Sequence, residues 1–210
     1  MSFNFVPEGN VEIPELKFEK QVLLNPKDTA VIVVDMQNDF VKEGGSLLVD
    51  SAKETIENIK SLLVNARKNK VRVVYTQDTH FVGDKEWEIW PVHCKKGSNG
   101  WKIIDELKPA EGEMVFEKNR YDGFYETQLD HYLSHVWGIK NFVIVGTVSS
   151  ICVLHTAASA GLRWYNLVIP ADGISALTEF DQAMTLRQVS FLYSGKIVKS
   201  CKDISFETGK

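Results

Sequence analysis

The sequence predicts an α/β protein with three layers, α/β/α, built on a mostly parallel sheet of about six strands. Two observations support this fold class. Short apolar runs rich in β-branched residues, without polar alternation, are typical of strands buried on both faces. Segments with the apolar spacing of helices lie between these runs, and right-handed crossovers then place helices on both faces of the sheet.

Strands and helices take turns along the chain. The predicted strands are "AVIVVD" (30–35), "VRVVYT" (71–76), "EMVFEK" (113–118), "NFVIVG" (141–146) and shorter runs near "NLVIP" and "KIVKS". The predicted helices are "DSAKETIENIKSLLVNARKNK", "ETQLDHYLSHVW", a small-residue segment over 151–162 and "DQAMTLRQVSFLYS". In the first helix, apolar residues recur three or four positions apart and basic residues stand near the end, as in an amphipathic helix.

The length of 210 residues suits one α/β domain over residues 30–210, preceded by an N-terminal extension over residues 1–29. The net charge of -4 gives no basic surplus for binding nucleic acid. No apolar run reaches the roughly 18 residues that cross a bilayer, and the start lacks the pattern of a signal peptide, so we expect a cytoplasmic protein without a membrane partner. Three cysteines, Cys94, Cys152 and Cys201, make structural disulfides improbable.

Chemically active side chains follow the predicted strands. Asp35 follows the first strand, Asp78 and His80 the second, Lys118 the third and Cys152 the fourth. In parallel sheets, ligands bind beyond the carboxyl ends of the strands. The sequence therefore predicts a site at this edge, although a lone acid after a strand is more often a turn former.

Cys152 lies at the start of the predicted 151–162 helix, where free backbone N–H groups favour a thiolate and can stabilise an oxyanion. The alternative is a small buried hydrophobic residue. His155 shares a helical face with Cys152, but a side chain on the same rigid helix usually packs or bonds locally, so we expect a structural histidine. Asp35 is a better candidate for the proton acceptor, and Lys118 for the stabilising charge.

Five blocks in order carry a resemblance to a known family: "VVDMQNDF", "DTH", "WPVHCKKG", "FEKNRYDGF" and "GTVSSICVLHTAASAG". Together they resemble the isochorismatase-like cysteine hydrolases, and among these the nicotinamidases look most similar. The resemblance implies a Rossmann-like fold and a triad of Asp35, Lys118 and Cys152. Cys152 would attack an amide carbon and release ammonia, leaving a thioester that water hydrolyses. It also implies a cis peptide between Thr147 and Val148, with the Val148 and Cys152 amides as the oxyanion hole.

Asp78, His80 and His93 are candidate metal ligands. Two imidazoles and a carboxylate suit a divalent metal, with zinc the first expectation and iron or manganese as alternatives. The resemblance adds Glu86 as a possible fourth ligand, with Glu88 as a weaker rival, and implies that the metal holds a pyridine nitrogen. The alternative interpretation is that His80 caps a turn and His93 lies on the surface.

Family analogy nominates Phe40, Trp90 and Tyr121 as walls of a pocket for a flat ring; such aromatics are otherwise ordinary core residues. The chain departs from many nicotinamidases in its "SSI" before the nucleophile and in its "RYDGF". Its extension resembles relatives that hydrolyse carbamoyl or ureidoacrylate compounds.

Three hypotheses follow from these features. The first is a metal-containing nicotinamidase that gives nicotinate and ammonia. The second is a metal-independent amidohydrolase of N-carbamoyl or ureido compounds with the same triad. The third is a non-catalytic binding module. A small-molecule amide is the expected ligand, and homo-oligomers are expected because relatives commonly form them.

Overall fold

The computed structural model describes residue 9 and residues 12–207, so the first part of the predicted extension lies outside the described residues. The strands are β1 (Val22–Leu24), β2 (Thr29–Val34), β3 (Arg72–Asp78), β4 (Met114–Lys118), β5 (Asn141–Thr147), β6 (Asn166–Pro170), β7 (Ile174–Ser175), β8 (Lys196–Val198) and β9 (Ile204–Phe206). The α-helices are α1 (Asn38–Val41), α2 (Ala52–Lys68), α3 (Leu154–Leu162) and α4 (Glu179–Leu192), and short 3-10 or π turns join several elements.

Seven of these strands form one sheet in the order β4-β3-β2-β5-β6-β8, with β7 beside the end of β5. Every pair in this sheet is parallel. The predicted mostly parallel α/β sheet is therefore confirmed. β7 is an additional strand whose two residues are too few to give a sequence pattern.

The two faces of β2 pack on different helices. Val31 and Val33 belong to the apolar cluster that contains Ile59 and Leu62 of α2. The alternate residues Ala30, Ile32 and Val34 belong to the cluster on the other face, which includes residues of α3 and α4. Because successive side chains of a strand point to opposite faces, this division produces the three layers.

Part of the predicted extension is built into the fold. β1 pairs in parallel with β9, and the side chains of Val22 and Leu24 are buried. The Glu19 N–H also donates to the Ile197 carbonyl at 2.8 Å. The described part of the extension is thus held by the last strands of the chain.

The predicted helix over "ETQLDHYLSHVW" is wrong in its extent, because the helical segment is the π-type turn His131–Val136. Glu126 has a left-handed φ of 54°, which does not fit a helix. The Thr127 hydroxyl accepts the Leu129 N–H at 3.2 Å, so a side chain satisfies a backbone group at the point where the helical segment starts.

Among the described residues, the helices are all too short or too polar to pass through a membrane.

Candidate active site

Three side chains from three strand ends meet at one buried point. Asp35 follows β2, Lys118 ends β4, and Cys152 lies in the π-type turn Ser149–Val153 that follows β5. Lys118 Nζ lies 2.7 Å from Asp35 Oδ2 and 3.6 Å from Cys152 Sγ. The side chains predicted from the strand ends are therefore brought together.

Asp35 is held by the neighbouring strand. Its backbone turns out of the sheet with a φ of 49°, and its Oδ1 accepts the Thr76 hydroxyl at 2.8 Å. Oδ2 faces the Lys118 ammonium but has no well-directed hydrogen-bond donor among the described residues. This oxygen is therefore available to accept a proton.

The charges of the site are set by burial and by their neighbours. Burial raises the pKa of the Cys152 thiol, an effect that Lys118 opposes and the carboxylates of Asp35 and Asp78 reinforce. Burial also raises the pKa of Asp35, against the opposing effect of Lys118. Burial alone would lower the pKa of Lys118, but the charges of Asp35 and Asp78 outweigh it and raise the pKa, so this side chain stays an ammonium. The resting thiol is therefore neutral and needs a base to become a nucleophile.

The turn before the thiol has the geometry implied by the family resemblance. The peptide bond between Thr147 and Val148 is cis. Val148 and Cys152 both line the cavity above the triad. The helix continues from this turn into α3, so Cys152 lies within the first turn of helical structure, as predicted.

His155 does not pair with the thiol. It is exposed, and its Nδ1 donates to the Ile151 carbonyl at 2.7 Å. Its ring also packs against Tyr121, with 5.5 Å between centroids. The prediction of a locally bonded, structural histidine is confirmed.

A small cavity of about 110 Å³ opens above the thiol. The three aromatic residues nominated from the sequence, Phe40, Trp90 and Tyr121, line it. Trp90 Nε1 donates to the Tyr121 hydroxyl at 3.0 Å, which joins two of these walls. Ligand pockets are commonly of about 300 Å³ or more, so this cavity suits a small molecule.

The four predicted metal ligands form one buried cluster. Candidate ligand atoms of Asp78, His80, Glu86 and His93 all lie within 4.8 Å of one another. Asp78 Oδ2 lies 3.0 Å from His80 Nε2 and 3.3 Å from His93 Nε2. Glu88 is exposed, so Glu86 is the acid that joins the cluster.

The protonation pattern of this cluster fits a bound cation. His80 Nδ1 donates to Asp84 Oδ2 at 2.8 Å, and His93 Nδ1 donates to the Pro91 carbonyl at 2.7 Å. Neutral imidazoles would then turn both Nε2 lone pairs toward the Asp78 carboxylate, and such an arrangement repels unless a proton or a metal cation lies between them. Burial would lower the pKa of His80, but hydrogen bonds to the Asp78 and Asp84 carboxylates raise it to about 9, which again indicates that the cluster attracts positive charge.

Asp78 connects the cluster to the triad. Its Oδ1 lies 3.0 Å from Lys118 Nζ while its Oδ2 faces the two imidazoles. Burial would raise the pKa of Asp78, but the charge of Lys118 and the hydrogen bonds from His80 and His93 lower it, so Asp78 stays ionised. One carboxylate therefore belongs to both groups.

Two supporting residues were not singled out from the sequence. Asp84 orients His80, and the half-exposed Arg120 lies 3.2 Å from Asp84 Oδ1 and 3.7 Å from Glu86 Oε2. Asp84 stands four residues after His80, and an acid so close along the chain is a candidate hydrogen-bond partner for a ligand histidine. Arg120 follows Lys118 by two residues but is 36 positions from Asp84 along the chain, and no local pattern marks it.

A family model and known relatives match this chain. The model of the isochorismatase domain matches residues 29–200. A ureidoacrylate amidohydrolase of Agrobacterium fabrum is 36% identical over 158 residues, which are 63% of this chain and 69% of that protein.

Two solved structures share the fold over most of this chain. The N-carbamoylsarcosine amidase of Thermoplasma acidophilum is 34% identical with a TM-score of 0.75, over 81% of this chain and 95% of the other. The nicotinamidase PncA of Bacillus subtilis is 26% identical with a TM-score of 0.77, over 82% of this chain and 100% of the other. With the domain match covering most of its length, the chain belongs to the isochorismatase-like hydrolase superfamily.

Proposed function

We propose that the chain is a cysteine amidohydrolase that cleaves the terminal –CO–NH₂ group of a small ureido or N-carbamoyl compound. The observation that carries this proposal is the meeting of thiol, carboxylate and ammonium below the small cavity. Lys118 Nζ lies 2.7 Å from Asp35 Oδ2 and 3.6 Å from Cys152 Sγ, so one ammonium supports both the base and the nucleophile.

The first half of the reaction forms a covalent intermediate. Asp35 takes the thiol proton, and Cys152 Sγ bonds to the carbonyl carbon. The carbonyl oxygen becomes an oxyanion, for which the backbone N–H groups of Val148 and Cys152 are the proposed donors. Asp35 then passes its proton to the leaving nitrogen, the C–N bond breaks, and ammonia departs.

In the second half, water attacks the same carbon while Asp35 takes a water proton. The C–S bond breaks and the thiol recovers its proton. A ureido or N-carbamoyl substrate leaves as a carbamate, which decomposes to an amine and carbon dioxide. Nicotinamide would instead leave as a stable carboxylate.

The relatives support the ureido and N-carbamoyl class over nicotinamide. The ureidoacrylate amidohydrolase and the N-carbamoylsarcosine amidase are 36% and 34% identical to this chain, against 26% for the nicotinamidase. The identities therefore support an N-carbamoyl or ureido substrate, our second hypothesis from the sequence, better than nicotinamide, our first.

Nicotinamide is the second candidate, because the metal cluster and the aromatic walls stand beside the same cavity. His93 and Glu86 line it together with Phe40, Trp90 and Tyr121. A flat uncharged ring fits such walls.

We also propose that Asp78, His80, Glu86 and His93 hold a divalent metal, zinc first among the candidates. A bound metal would supply a Lewis-acid position for a polar substrate atom. The protein would orient the ligand atoms of this metal, since Asp84 and the Pro91 carbonyl fix the imidazole rings of the two histidines.

The substrate class is tested by measuring both ammonia and carbon dioxide. N-carbamoylsarcosine, ureidoacrylate and nicotinamide are offered to the wild type and to Cys152→Ala, each with and without added zinc. We expect ammonia and carbon dioxide together, in equal amounts from N-carbamoylsarcosine, and neither from Cys152→Ala. Ureidoacrylate should give up to two ammonia molecules for each carbon dioxide, because its amine product is an enamine that water hydrolyses. Ammonia without carbon dioxide, from nicotinamide alone, would favour the second candidate, and no release from any compound would favour a non-catalytic module.

A further inference from the structure

We infer that Gln37 is a positioning residue, whose side-chain amide replaces a missing strand partner and fixes Asp78 between Lys118 and the two histidines. The inference rests on the metal-containing amidohydrolase proposed above. Within the described part of the chain, the Gln37 side chain has no hydrogen bond to the Cys152 thiol or to the metal-facing atoms of the cluster.

The Gln37 side chain pairs with both backbone groups of Asp78. Its Oε1 accepts the Asp78 N–H at 2.7 Å, and its Nε2 donates to the Asp78 carbonyl at 2.8 Å. Nε2 also donates to the Trp101 carbonyl at 2.8 Å. Gln37 is fully buried, so water cannot replace these hydrogen bonds.

The sheet needs this side chain because β2 ends before β3 does. The last register pair between these strands is Val34 with Thr76. At the next residue, Asp35, the chain turns away with a φ of 49°. Asp78 still pairs with Lys118 of β4 on its other side. On the β2 side, the Gln37 amide supplies the donor and the acceptor that a continuing strand would have supplied.

The position of Asp78 decides the geometry of two charge groups. Its Oδ1 lies 3.0 Å from Lys118 Nζ, and its Oδ2 lies 3.0 Å from His80 Nε2 and 3.3 Å from His93 Nε2. A side chain that fixes the backbone of Asp78 therefore fixes both groups. Loss of a partner of this kind commonly weakens metal binding by about 10-fold to 100-fold.

Gln77 provides a matched control. Its Nε2 donates to the same Trp101 carbonyl, also at 2.8 Å, and it is buried beside Gln37. It makes no side-chain hydrogen bond to the Asp78 backbone within the described chain. Replacing it removes a comparable contact and leaves the Asp78 pairing intact.

The test compares Gln37→Met, Gln37→Asn and Gln77→Met with the wild type. Methionine keeps the length of the side chain without its hydrogen bonds, and asparagine keeps the amide but withdraws it from Asp78. Zinc affinity is measured by competition with a chromophoric chelator, and thermal unfolding of the metal-free proteins reports on the fold. We expect zinc affinity about 10-fold to 100-fold lower in both Gln37 variants and unchanged in Gln77→Met, with all metal-free proteins folded.

Several outcomes would overturn the inference. These are an unchanged zinc affinity in the Gln37 variants, an equal loss in Gln77→Met, or a wild type that binds no zinc. Failure of both Gln37 variants to fold without metal would also contradict it, because Gln37 would then serve folding rather than the site. A wild type that binds zinc but hydrolyses no amide would refute the proposed function and leave the affinity comparison valid.

Discussion

At the scale of residues, the site works through shared charges. Lys118 lies within ion-pair distance of both Asp35 and Asp78, and Asp78 in turn faces His80 and His93. Burial raises the pKa of Cys152, so the thiol is neutral until Asp35 removes its proton. Removing one buried partner of such a network leaves another charge uncompensated, and single substitutions should therefore have large effects.

Replacing Asp35 by asparagine removes the proposed proton acceptor and keeps the shape of the side chain. We expect Asp35→Asn to lower kcat by about 10²-fold to 10⁴-fold, the usual contribution of a positioned base. Steady-state ammonia release measures it. His155→Ala is the control, because His155 is exposed and bonded locally, and it should keep the wild-type kcat. Its ring packs against Tyr121, so any change should be in KM. A large loss in His155→Ala with little loss in Asp35→Asn would reverse our assignment of the base.

The pH profile tests the same assignment. Burial raises the pKa of Asp35, and this carboxylate must be ionised to accept the thiol proton. As pH falls through the raised pKa, kcat/KM should decline, and the decline should start above the pH range of an ordinary aspartate, whose pKa is about 3.9. The profile is recorded only where circular dichroism shows a folded protein. A flat profile down to the ordinary range would argue against Asp35 as the base.

At the scale of elements, strand ends and one loop build the site. β2, β3, β4 and β5 each end at or beside a functional residue. The loop from His80 to His93 carries three of the four predicted ligands, Glu86 among them. The fourth ligand, Asp78, is the last residue of β3. A metal would therefore join this loop to the sheet.

Zinc should stabilise the folded protein through this loop. A ligand that binds only the folded state at about 100 times its Kd adds about 2.7 kcal/mol to stability. We expect zinc to raise the Tm of the wild type and of Glu88→Ala, whose side chain is exposed, and to raise that of Glu86→Ala less. Differential scanning calorimetry with and without zinc measures this. Equal shifts in the two glutamate variants would exclude Glu86 as a ligand.

Gly146 allows β5 to approach β2 beside the catalytic turn. Its φ is 119°, and a Cβ would lie 2.1 Å from the Val34 carbonyl oxygen. Gly138 also has a positive φ, of 63°, but a Cβ there would meet no atom within 4 Å. A left-handed backbone at a residue other than glycine costs about 1–3 kcal/mol. We expect Gly138→Ala to lower the free energy of unfolding by no more than this amount. Gly146→Ala should lower it by more, because its Cβ would also collide with β2. Urea denaturation compares them, and equal losses would contradict the close-approach argument.

At the scale of the whole molecule, the sheet and the rim of the site could be predicted because they depend on local patterns. The strand Thr29–Val34 is buried along its whole length and apolar from residue 30 onward, and parallel strands bring their carboxyl ends to one edge. The short β7 and the early turn at Glu126 have no such pattern. The pairing of Gln37 with Asp78 joins residues 41 positions apart, so only the fold reveals it.

The predicted homo-oligomer stays a prediction at this scale. The chain has a mass of 23.8 kDa, so light scattering coupled to size-exclusion chromatography should give a multiple of that value. A symmetric assembly is the usual form for oligomers of one chain. A mass equal to one chain at all concentrations tested would contradict the expectation.

The central claim is that Cys152 forms a covalent bond to the carbonyl carbon of a terminal carboxamide. Acid quenching during turnover, followed by mass spectrometry of the protein and its peptides, tests this most directly. We predict an adduct with the mass of the substrate minus ammonia, located on the peptide that contains Cys152. An adduct that maps to Cys94 or Cys201, or substrate consumption that continues undiminished in Cys152→Ala, would contradict the account.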